Sequence, residues 1–109
     1  MVLDTGLSVY EGCFLGFDRY TVDDSVYLCV WNEEVGSIAD LTVCLGGKPS
    51  WTGDNCAYVN VHDLPCAMRF IEEYKLGTPT GVVERSGYCE YPLVEFDMER
   101  VARYVRIPG

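Results

Sequence analysis

Cys56 to Cys66, CAYVNVHDLPC, places the only histidine of the chain, His62, between two of its six cysteines. Thiolate sulfur and imidazole nitrogen are the usual ligands of zinc, and Cys44 or Cys89 could complete a four-coordinate site with Cys56, His62 and Cys66. The spacing opposes it. An extended strand between Cys56 and His62 would hold them about 20 Å apart at about 3.3 Å per residue, so one ion could join them only if the strand breaks early. No cysteine pair has the two-residue spacing of zinc ribbons and knuckles, and no metal or other cofactor is expected. A second chemistry is nucleophilic: Cys66 at the start of a helix could have its thiolate stabilised by the helix dipole, with His62 as the nearby base. Proximity along the chain is all that supports that pair, and one histidine cannot serve several nucleophiles. The 17 carboxylates do not define a catalytic pair either, so no enzyme is indicated. Gly46, Gly47 and Lys48 lack both the upstream glycine and the following helix of a phosphate loop.

Hydrophobic periodicity gives the strands and helices on which these residues lie. Alternation from Gly12 to Tyr20 predicts a strand, and the apolar run SVYLCVW, Ser25 to Trp31, predicts a central strand covered on both faces. Ala39 to Leu45 alternates as a third, half-buried strand, and Cys56 to Val61 as a fourth. Asp63 reads as a helix cap with Pro65 in the first turn. Leu64, Ala67, Met68, Ile71 and Tyr74 then share one helical face, and Gly77 suits the left-handed position that ends the helix. TPTG, residues 78 to 81, reads as a turn. Gly87 to Val94 is a fifth strand, placed at an edge by Pro92, and Asp97 caps a short helix through Val105 that Pro108 ends. The expected fold class is α+β: an antiparallel sheet of about five strands, one main helix packed on it and a short C-terminal helix, in a single domain over residues 1–109.

Charge bounds the partners. Acidic residues number 17 against 8 basic ones, and Arg100, Arg103 and Arg106 concentrate three of the latter near the end. Such a surface repels phosphate backbones and anionic membranes, which disfavours direct nucleic-acid or membrane binding and favours a basic protein partner. The candidate contacts are Asp23, Asp24, Glu33, Glu34, Glu72 and Glu73. Tyrosine and tryptophan, with eight and two copies, add side chains suited to protein contacts. The opening MVLDTGLSVYEG has no basic segment followed by an apolar run, so a cytoplasmic location with mostly free thiols is expected.

ADLTVCLGG, YVNVHDLP and GTPTGVVERSGYCEYPLVEFDMERV together resemble a group of small uncharacterised proteins carried by phage and conjugative elements of gut bacteria. The likeness runs over about residues 25 to 101, through Leu41–Leu45, Asn60–Leu64, Gly77 with Thr80-Gly81, and Ser86–Phe96. It departs from the family pattern at Cys44, where that family has asparagine, and at His62-Asp63. The resemblance implies a mobile element inside a bacterial cell, where small acidic proteins often inhibit host defence. It carries over no catalytic residues. The expected function is therefore a non-enzymatic acidic protein that binds and inhibits a basic host protein, a CRISPR or restriction effector being the fitting type. The alternative is a small zinc-stabilised or thiol-reactive protein using Cys56, His62 and Cys66.

Overall fold

In the computed structural model, which describes residues 1–49 and 51–107, the first strands belong to a stretch without a clear sequence period. Leu3–Asp4 (β1) and Val9–Tyr10 (β2) form a two-residue hairpin across Gly6, and Leu3 is fully buried. Phe14–Arg19 (β3), Val26–Asn32 (β4) and Gly36–Asp40 (β5) make a three-stranded antiparallel sheet with β4 in the middle. The central place of β4 follows from its composition, since Val26, Leu28 and Val30 are buried without remainder.

Ala39 to Leu45 does not remain one strand. Pairing of β5 with β4 ends at Asp40↔Cys29, and the chain bends at the buried Leu41, whose N–H still bonds the Leu28 carbonyl. Thr42–Val43 (β6) then pairs with Cys56–Val59 (β7) in a second sheet. The Thr42 hydroxyl accepts from the Leu28 N–H at 3.0 Å, so β4 is tied to both sheets.

The second sheet is completed by Gly77–Ser86 (β8) and Cys89–Phe96 (β9), in the order β6-β7-β9-β8. Ala57 and Val59 enter the main core with Val94 and Phe96, whereas Cys56, Tyr58 and Leu93 form a separate small core. Strict alternation along β7 and β9 thus puts apolar residues on both faces. Ala67–Glu73 (α1) adds Ala67, Phe70 and Ile71 to the main core, and Met98–Ala102 (α2) adds Val101.

The α+β class is corrected by these observations. Strand accounts for 44% of the structure and helix for 11%, in three sheets of 2, 3 and 4 strands, so the chain is mostly β. The expected helices shrink and the expected strands multiply, for local reasons. Asp63 does not cap α1: the Asn60 carbonyl takes the Leu64 N–H, a turn absorbs residues 61–63, and Cys66 is the cap position without a side-chain bond. At the other end Lys75, at φ 55°, takes the left-handed position assigned to Gly77. Gly77 instead opens β8 opposite Phe96. TPTG is no turn but lies inside β8, where an irregularity between Pro79 and Val83 accommodates it. Pro92 is in β9, between β7 and β8, rather than at an edge. It is tolerated there because β7 pairs with β9 only as far as Leu93, leaving no ladder bond on that side for proline to break. Asp97 does cap α2, its carboxylate accepting from the Arg100 N–H at 3.2 Å, but the helix stops at Ala102. Val105 goes on to a parallel bridge with Leu15. The expected stop at Pro108 lies outside the described residues.

Candidate functional site

The zinc set does not assemble. Cys56 and Cys66 are both buried, Cys56 in the small core and Cys66 in the main one, on opposite sides of the second sheet. Alternation is the cause: Cys56 and Tyr58 face one way along β7 while Ala57 and Val59 face the other, toward α1 and Cys66. Among the described residues no three His, Cys, Asp or Glu side chains are placed to hold one metal ion. The lowered thiol that a helix start could give Cys66 is not what its surroundings produce. Burial pushes its thiol up from the ordinary value, against smaller opposing effects of the Cys66 backbone and Arg69. Cys13 and Cys56 are pushed up the same way, burial being the largest cause for each.

His62 instead meets Cys89, with Nδ1 3.1 Å from the sulfur. The pairing register explains the contact. Cys56↔Glu95, Ala57↔Val94 and Tyr58↔Leu93 run in step, and the same register carried past the end of β7 brings His62 opposite Cys89. Cys89 follows the Gly87-Tyr88 turn of the β8–β9 hairpin, in which Ser86 pairs with it. Gly87 has φ 63°, which suits the first position of a type II′ turn. Tyr91 is two residues along the same face, and its phenol is pushed up by desolvation first, then by the Cys89 sulfur and the Asp63 carboxylate. Sequence reasoning offered Cys89 only as one of two cysteines that could complete a zinc set with His62 and could not single it out, because 27 residues separate them and only the strand register joins them.

The six acidic candidates do not form one patch. Asp23 and Asp24 lie before β4 and Glu33 and Glu34 after it, beyond opposite ends of a seven-residue strand about 20 Å long, and Glu72 and Glu73 are on α1. Asp24, Glu33, Glu34, Glu72 and Glu73 are exposed. Two of the six have internal partners: Asp23 accepts from the Ser25 N–H and hydroxyl at 3.0 and 2.6 Å, and Glu33 is paired with Arg106 at 2.7 Å.

A tighter group forms where the two sheets meet. Asp40 accepts from the Tyr27 hydroxyl at 2.8 Å. Burial first, and the Asp40 carboxylate with Cys29 next, push the Tyr27 phenol up. Tyr20 stacks edge-on against Tyr27 with ring centres 5.5 Å apart and bonds the Thr42 carbonyl. Its phenol is pushed up chiefly by burial, with Asp40, Cys44 and Asp23 adding to the effect. Tyr58 is pushed up by burial and then by Glu84 and Asp23. Asp40 thus lies near both Tyr20 and Tyr27, Asp23 near Tyr20 and Tyr58, and Glu84 near Tyr58, a placement that the pattern of charges in the sequence does not reveal, since β3–β4, β5 and β8 must first be folded together.

Four of the eight basic side chains, Arg19, Arg85, Arg100 and Arg106, have internal partners. Arg19 donates to the Asp24 and Asp54 carbonyls at 3.0 and 2.7 Å and to Asn55 Oδ1 at 3.0 Å. Arg100 Nε donates to the Tyr74 carbonyl, and Arg106 lies over the Phe14 ring. Only Glu33 and Glu90 are ion-paired among the described residues. No described helix is long and apolar enough to cross a membrane.

No curated protein and no solved structure matches this chain. A family model does match it, spanning residues 14–107 from β3 to the strap after α2 (residues 103–107, whose Tyr104 carbonyl and Arg106 N–H bond the Leu15 backbone of β3), and so including the tyrosines and the Cys89–His62 pair. The chain belongs to that family, defined by a domain of unknown function, DUF4313.

Proposed function

We propose that this chain is a non-enzymatic acidic binding protein that engages and inhibits a basic bacterial protein, a nucleic-acid-handling defence effector of the CRISPR or restriction type being the fitting target. It acts, on this reading, inside the host cell of a mobile genetic element. The observation that supports it is the imbalance of charge: 17 carboxylates face 8 cationic groups, and arginines 19, 100 and 106 are already committed to internal partners. A field of that sign draws in a basic surface and competes with nucleic acid for it. Tyr20 and Tyr27, with Asp40 and Asp23 beside them, offer a place for arginine, which stacks on aromatic rings while its charge meets carboxylates.

Binding to purified effector proteins, measured by calorimetry at two salt concentrations, tests the proposal. Binding that weakens as salt rises and is lost when Asp24, Glu34, Glu72 and Glu73 are changed to lysine is the expected result. Binding indifferent to both changes would remove the electrostatic basis of the reading.

A further inference from the structure

We propose that Cys89 and His62 form a thiol dyad through which the protein is capped by low-molecular-weight disulfides, glutathione disulfide being the type. Three features of the geometry carry this. The sulfur and Nδ1 are in hydrogen-bond range at 3.1 Å, the distance at which a proton passes between them. The pair lies beside a tight hairpin turn whose Tyr88 is fully exposed, and His62 is itself exposed, so a small reagent can approach from solvent. Cys13, Cys56 and Cys66 are instead buried, and none of them has a histidine, the chain having only one.

In the tautomer that carries its proton on Nε2, Nδ1 accepts the proton of the Cys89 thiol. The Cys89 sulfur then attacks one sulfur of the small disulfide. A new S–S bond forms as the old one breaks, and the departing half leaves with the electron pair and takes up a proton as a thiol. Cys89 is oxidised to a mixed disulfide and the departing half is reduced, so no other oxidant is required. The surrounding titratable groups are Tyr91 on the same face of β9 and Asp63 beside the histidine. Glu90 points to the other face, toward Arg85. Ser86 is the residue opposite on β8.

The folded protein is treated with glutathione disulfide, and the modified thiol is located by peptide mass mapping. Cys89 is half-buried, as Cys29 and Cys44 are, so the histidine is what distinguishes it, and Cys89 is expected to be capped first of the three. His62→Ala and His62→Gln should both slow capping about tenfold near neutral pH, because an unassisted thiol is only a few per cent thiolate there. By about pH 9 the rates of variant and parent should converge, since an ordinary thiol then ionises without help, an effect that general loosening of the hairpin would not produce. Capping of Cys29 or Cys44 first overturns the proposal. So do equal rates for parent and both histidine variants at neutral pH.

Discussion

Gly77 is the residue at which a single methyl group matters most. A Cβ there would come 2.7 Å from both the Glu95 carbonyl oxygen and Val94 Cγ1, and 3.1 Å from Phe96 Cα. Two of these obstacles are backbone, held by the β8–β9 ladder itself. Gly77→Ala should therefore cost about 1–3 kcal/mol, the usual range for overpacking, read as a lower urea midpoint. Gly16 gives the internal comparison. Its added Cβ would meet the Cys29 sulfur at 2.6 Å, but a side chain can swing aside where a ladder cannot. Gly16→Ala should be the milder change, and the reverse order would show that the β8–β9 ladder yields more easily than the Cys29 side chain. In the sequence Gly77 reads as a helix terminator, since glycine is the common residue in the left-handed conformation there. Lys75 takes that conformation instead, and the real need for glycine comes from β9, a strand distant in sequence.

Among the elements, Arg19 joins parts of the chain that periodicity treats separately. From the end of β3 its guanidinium reaches the turn before β4 and the segment before β7 through three bonds. A planar fork with several donors can span both, and a lysine ammonium cannot reproduce that geometry. Arg19→Ala is expected to destabilise the fold by about 1–3 kcal/mol in chemical denaturation, with Arg19→Lys recovering only part of it. A loss below about 0.5 kcal/mol would assign the contact to an ordinary surface position. Strands such as β3 and β4 were legible from composition because their apolar residues repeat over five or more positions. β1 and β2 were not, because two residues carry no period. The α1 face was readable through Ala67 and Ile71, while its start was not, since Asn60 rather than Asp63 organises the turn that precedes it. The Cys89–His62 contact was beyond reach for another reason: it depends on which residues of β7 and β9 face each other, and pairing register has no mark in either strand alone.

For the whole molecule, the buried acids of weak strength set the alkaline limit. Cys13, Cys56 and Cys66 are pushed above the ordinary thiol value of 9.0, and Tyr20, Tyr27 and Tyr58 above the ordinary phenol value of 10.0. Each group holds its proton more tightly when folded. Between the ordinary and the raised value the native state binds more protons than the unfolded chain, so stability falls as pH rises. The contribution is complete below about pH 9 and is lost progressively above it. Thermal midpoints should thus be level between about pH 7 and 8 and decline from about pH 9 upward, and a midpoint that rises there would reverse the assigned direction. The Cα radius of gyration, 13.2 Å, is that of a folded domain of about 100 residues, so these groups titrate within one small volume.

The strap that follows α2 has an optical consequence. Trp31 is 5% exposed and donates its indole N–H to the Arg106 carbonyl at 3.1 Å, while Trp51 is 73% exposed. One indole therefore emits from a packed interior and reports whether the strap is seated on β3, and the other emits from water. A soluble quencher such as acrylamide silences the second and leaves the first, which turns the chain's own fluorescence into a gauge of its C-terminal closure without any added label.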